Sequence, residues 1–87
     1  MQTNRERKET VMKEYMVNIT TIEDVKKFVS TVMRFDFDID LISGRYAVDA
    51  KSIMGIFSVD LSKSLKLVAH TDDTSELEQA IDEFIVK

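Results

Sequence analysis

Between Phe35 and Ile42 apolar and acidic residues alternate without a break. Phe35, Phe37, Ile39 and Leu41 are separated by Asp36, Asp38 and Asp40. Successive side chains of an extended chain point to opposite faces, so this spacing predicts a strand over 35–42 with one face buried and one in water. A sheet made of such strands is covered on one side only. With 87 residues to work with, the fold is confined to one small domain whose helices all pack on a single face of the sheet.

The remaining chain supplies those elements. Val11 to Thr20 reads as a first strand, with Tyr15, Val17 and Ile19 on the face opposite Met16, Asn18 and Thr20. A helix follows, started by a capping box of either Thr20 with Glu23 or Thr21 with Asp24. Ile22, Val25, Phe28, Val29, Val32 and Met33 form its apolar stripe, with acids in the first turn and bases later. After strand 35–42, Ser43-Gly44 or Gly44-Arg45 makes a hairpin turn. The return strand, Arg45 to about Ala50, points Tyr46, Val48 and Ala50 inward. A short helix capped by Ser52 ends near Ser58. Val59 to Ser64 connects it to a strand from Leu65 to about Thr71. Ser75 with Glu78 offers another capping box, and Leu77, Ala80, Ile81, Phe84 and Ile85 give the last helix its stripe. The predicted order is βαββαβα. It is an α+β open-faced sandwich of four mostly antiparallel strands with three helices on one face, spanning residues 10–87. Residues 1–9, polar and without periodicity, read as a disordered leader.

Composition narrows the function. Twelve basic and sixteen acidic residues give a net charge of −4, and no basic face emerges, which argues against nucleic-acid binding. The absence of cysteine removes disulfides and thiolate metal sites and suits a reducing cytoplasm. No apolar run approaches a membrane span. His70, the single histidine, reads as a surface residue at a strand end, because one imidazole beside Asp72 and Asp73 makes a weak metal site. Asp36, Asp38 and Asp40 lack the glycine and loop-forming neighbours of a calcium loop, and a solvated strand face explains them better. No nucleophile–base pair or glycine-rich phosphate loop appears, so no enzyme, metal or cofactor is expected.

The stretch Lys51-Ser52-Ile53-Met54-Gly55-Ile56-Phe57-Ser58 stands apart. Ser52 fits a helix N-cap. One turn cannot bury all of Ile53, Met54, Ile56 and Phe57, so part of this surface faces water or a partner.

This stretch resembles the regulatory-serine segment of HPr, the phosphocarrier family of the bacterial sugar phosphotransferase system, in its Gram-positive Lys-Ser-Ile-Met-Gly form. The likeness runs without a gap from about Lys27 to about His70, and the predicted elements fit from about Met12 onward. It implies the same open-faced architecture. It also implies that Ser52 is the kinase-modified serine and that Ile53, Met54, Phe57 and Lys51 dock protein partners. Family members carry phosphate on a histidine at the start of the first helix, in a motif close to Gly-Leu-His-Thr/Ala-Arg-Pro-Ala. Carrying the match backward places Thr21 at the histidine, Glu23 at the arginine and Asp24 at the proline. A phosphoryl group bears about −1.5 to −2 charges at neutral pH, and two carboxylates in one helical turn oppose it.

The resemblance therefore implies a degenerate member, akin to the catabolite-repression branch that lacks the histidine and keeps the serine. Its expected role is that of a cytoplasmic regulatory or protein-interaction module. Its partners would be of the phosphotransferase or carbon-regulation type, and a monomer is favoured. The rival readings are a phosphocarrier with a non-standard acceptor, His70 or Thr21, and a scaffold that is never phosphorylated.

Overall fold

A computed structural model describes residues 12–86; the expected leader 1–9 and Val11 lie outside the described residues. The elements are β1 (Lys13–Val17), α1 (Ile22–Val32), β2 (Ile39–Ser43), β3 (Tyr46–Asp49), α2 (Ile53–Phe57), β4 (Leu65–Ala69) and α3 (Ser75–Ala80). A 3-10 turn, Asp82–Phe84, completes the last helical segment. The strands form one antiparallel sheet in the order β1-β4-β2-β3. This is the βαββαβα order predicted from the sequence.

Register places Tyr15, Leu67, Leu41 and Val48 side by side across the sheet, with Val17 beside Leu65 and Ile39 beside Ala69. These inward rows meet Val25, Phe28 and Val32 of α1, Ile56 of α2, and Leu77, Ile81 and Phe84 of the last segment. Phe28 and Phe84 meet edge to face, with centroids 5.5 Å apart and planes at 87°, the arrangement the ring quadrupoles favour. The other sheet face carries Glu14, Met16, Lys66, Asp40, Ile42, Ala47 and Asp49. Val68, flanked there by Glu14 and Asp40, is buried as well.

Several sequence expectations are corrected. The strand predicted from Phe35 begins only at Ile39. The chain leaves α1 through turns in which Arg34 and Phe35 donate to Thr31 and Val32, so Phe35–Phe37 stays outside the ladder, and cross-strand bonding begins where the His70 N–H donates to the Asp38 carbonyl at 2.9 Å. The alternation survives as half-buried Phe35 and Phe37 between exposed Asp36 and Asp38. β1 and β4 are shorter than predicted, closing at Val17 and Ala69. Tyr46, expected inward, is 68% exposed because β3 is the edge strand and no neighbour among the described residues covers it.

Helix ends also differ in detail. Of the two boxes at α1, the structure forms Thr21 with Asp24. Ile22 and Met33, assigned to the buried stripe, are exposed, since each sits at a helix end beyond the contact with the sheet. The bases do not reach the last turn of α1. Ser75 is not the cap of α3. Thr74 holds that position without a side-chain cap bond, its hydroxyl engaged instead by Tyr15 and Glu78. The last helix breaks after Ala80, and Ile85 reaches the core through a bridge to Val17. The hairpin loop is Gly44-Arg45, with Gly44 at φ 61°, a conformation that glycine adopts without steric cost.

Candidate functional site

Two helix starts carry the residues singled out above. At α2, Ser52 has the extended backbone of an N-cap, and its Oγ accepts the Gly55 N–H at 3.1 Å. Glycine at 55 allows this close approach: a Cβ there would stand 3.2 Å from Ser52 Oγ and 3.4 Å from the Val48 Cβ. Ile56 turns into the core and is fully buried, while Ile53 is half-buried against it. Met54 is 74% exposed and Phe57 42% exposed. One turn of helix thus divides its apolar residues between the core and an open patch beside the serine.

Lys51 is placed differently from its neighbours. Its Nζ donates to the carbonyl oxygens of Phe35 at 2.6 Å and Phe37 at 3.0 Å. Its backbone N–H donates to Asp49 Oδ1 at 2.9 Å. The ammonium therefore binds the 35–37 turn beneath α2, occupying carbonyls that would otherwise have entered a strand ladder. No signal in the sequence marked this role.

At α1, Thr21 Oγ1 accepts the Asp24 N–H at 3.0 Å, and the Asp24 carboxylate receives the Thr21 N–H at 3.4 Å and the Thr20 hydroxyl at 3.3 Å. Desolvation pushes the Asp24 carboxyl up, but the hydrogen bonds from Thr20 and Thr21 outweigh it and hold its pKa below the usual value. A helix N-terminus attracts anions through free N–H groups and its dipole. Here the carboxylate of Asp24 already satisfies that demand, and Glu23 adds a second negative charge in the same turn. Lys27, on the next turn of α1, pairs with Glu83 at 2.9 Å.

His70 directly follows β4, and its backbone N–H donates to the Asp38 carbonyl at 2.9 Å. Its Nε2 stands 2.8 Å from Asp40 Oδ2, so a phosphoryl group on that nitrogen would meet a carboxylate. Asp36, Asp38 and Asp40 do not converge; among the described residues no group of three or more His, Cys, Asp or Glu is placed to hold a metal. No helix among the described residues is long and apolar enough to cross a membrane.

An antiparallel β1-β4-β2-β3 sheet with helices on one face, and a serine-capped short helix presenting apolar side chains, defines the class of small α+β open-faced sandwich proteins. The comparisons make the assignment specific. The family model described as "PTS HPr component phosphorylation site" matches residues 24–87, and the chain belongs to the HPr family. The matched region begins inside α1, after Thr21. A crystal structure of HPr-C-His from Thermoanaerobacter tengcongensis is 32% identical, with a TM-score of 0.69, covering 82% of this chain and 88% of that one. A phosphocarrier protein HPr from Bacillus anthracis str. Ames is 26% identical, with a TM-score of 0.68, covering 86% and 99%. No curated protein matches the chain. Proteins of this family are phosphocarriers of the phosphotransferase system and interact with its other proteins.

Proposed function

We propose that this chain is an HPr-family protein that carries no phosphate on its first helix and works as a regulatory or protein-interaction module. In this reading Ser52 is a phosphorylation switch, and Ile53, Met54 and Phe57 form the docking surface, with Lys51 holding its base. The observation that carries the reading is the Thr21–Asp24 capping box. Thr21, which the resemblance places at the family's histidine, has no imidazole; the carboxylate of Asp24 fills its helix N-terminus, and Glu23 stands where the resemblance would put a cation. Phosphoryl transfer through a side chain requires an activated nucleophile, and a threonine hydroxyl used as a helix cap is not one.

The patch at α2 supports the positive half of the proposal. Met54 and Phe57 remain exposed beside a hydroxyl that a kinase can modify. A phosphate there adds about −1.5 to −2 charges at the edge of an apolar surface, enough to change which partners dock. The partners are proteins of the phosphotransferase or carbon-regulation type, met in the cytoplasm.

Two incubations test this. With phosphoenolpyruvate and enzyme I, the protein is expected to take up no acid-labile label; a phosphorylated His70 or Thr21 would make it a carrier with an unusual acceptor. With ATP and an HPr kinase, mass spectrometry is expected to place one phosphate on Ser52; an unmodified Ser52 would leave an unswitched scaffold.

A further inference from the structure

Among the described residues the sheet ends at β3, and that edge is self-complementary. Ala50 N–H donates to the Ile39 carbonyl at 2.9 Å, and register pairs Leu41 with Val48 and Ser43 with Tyr46. Hydrogen-bonded pairs alternate along an antiparallel ladder, so 39–50, 41–48 and 43–46 are the bonded pairs. Ala47 and Asp49, lying between them, direct their backbone N–H and C=O groups away from β2. The Asp49 carbonyl is taken by Ser52 N–H. Among the described residues nothing bonds to the outward groups of Ala47.

We propose that β3 pairs antiparallel with β3 of a second copy of this chain, about a two-fold axis through Ala47. A two-fold at that residue sets residue 45 of one copy opposite 49 of the other, and 46 opposite 48. The two Ala47 residues then form a bonded pair, each N–H donating to the other's carbonyl. Arg45 meets the opposing Asp49, and both side chains are exposed in the single copy. Asp49 keeps one carboxylate oxygen for this contact, because the Lys51 N–H uses the other. Tyr46, 68% exposed, covers the half-buried Val48 of the second copy. The same register that joins the backbones thus brings opposite charges and apolar side chains together on both sides of the axis, which is what a two-fold interface requires. The axis is normal to the sheet, so the helices of both copies share one face and the sheet grows to eight strands. The contact spans only four strand residues per copy, so the dimer is weak and forms at high concentration.

The chain has no cysteine, so Ala47→Cys in the full chain is a clean reporter. A bonded antiparallel pair sets its Cα atoms about 5.5 Å apart, within disulfide reach. The Ala47→Cys protein is expected to cross-link in air at least about tenfold faster than Lys63→Cys, a loop control. Adding Arg45→Glu should slow it about tenfold, and the swap Arg45→Asp with Asp49→Arg should restore it. Equal rates for the two cysteine variants, or a rate indifferent to Arg45→Glu, would overturn the proposal. Sedimentation equilibrium of the unmodified chain is the independent arm. Purely monomeric behaviour at about 1 mM, where a dimer with a Kd of about 1 mM is populated, would overturn it as well.

Discussion

The Lys51 ammonium lies 2.6 Å from the carbonyl oxygen of Phe35, across 16 residues of sequence, and ties the turn after α1 to the residue preceding the α2 cap. Together with the bond to Phe37 it satisfies two backbone acceptors in a segment that makes no strand. Charged donors make the stronger hydrogen bonds, and half-buried ones lose less to water. Lys51→Met is therefore expected to lower unfolding stability by about 1–2 kcal/mol, read as a fall in the urea midpoint with an unchanged slope. A midpoint equal to that of the unmodified protein would show that water replaces the ammonium freely.

The α1 box makes a sharper claim about chemistry. Thr21→His puts an imidazole at the position proposed to correspond to the family's histidine but removes a helix cap, at a cost of about 1 kcal/mol. It is expected to remain unlabelled by phosphoenolpyruvate and enzyme I, because Glu23 and Asp24 still oppose a phosphoryl group. Adding Glu23→Arg and Asp24→Pro should allow acid-labile label to appear. Labelling of Thr21→His alone at a rate typical of the family would show that the carboxylates do not matter.

Ser52 has a structural duty that any test of its phosphorylation must respect. Its Oγ caps Gly55 N–H, so Ser52→Ala should cost about 1 kcal/mol. Ser52→Asp should lie within about 0.5 kcal/mol of the unmodified protein, because a carboxylate caps a helix start as well as a hydroxyl does. Thermal melts of the two variants check the order. If Ser52→Asp proves the less stable, it cannot serve as a folded mimic of the phosphorylated state.

Tyr15 links β1 to α3 through Thr74 Oγ1 at 2.7 Å and the Glu78 carboxylate. Desolvation, with the Glu78 hydrogen bond and charge behind it, raises its pKa above 10.0 against a smaller opposing effect of Thr74. The folded state therefore holds this proton more tightly than the unfolded chain. Its contribution is whole below pH 10 and is lost as pH rises from there through the folded pKa. Tyr15→Phe should cost about 1 kcal/mol at neutral pH, leaving buried Thr74 without its tyrosine partner. It should also flatten the alkaline limb of stability against pH. On the acid side the sign reverses. Asp60 and Asp73, lowered by bonds from Ser62 and Ser75, support the fold above pH 3.8 and stop doing so as pH falls through their folded values. An alkaline limb identical in Tyr15→Phe would remove the tyrosine from this account.

The candidate site was legible wherever the cause is local. Ser52 announces a cap by its type and by the apolar run behind it, and the structure forms that cap with Gly55. Thr21 and Asp24 stand three apart, and that spacing alone allows the reciprocal bonds that are found. Lys51 could not be read in the same way. A lysine beside a helix start looks like a solvent-facing charge, and nothing in the chain says that two carbonyls 14 and 16 residues upstream will be left without a ladder.

The sequence by itself determined the order of elements, the single covered face and the split of α2 between core and surface, because period-two and helical spacings act over a few residues at a time. Only the tertiary structure decided where the alternating 35–42 segment stops being a strand. The choice depends on where α1 ends and on which distant groups reach the freed backbone. It likewise decided that Tyr46 faces water and that Thr74, not Ser75, heads α3. Both outcomes turn on sheet order: the place of β3 at the edge among the described residues, and the arrival of Tyr15 from β1 at the start of the last helix.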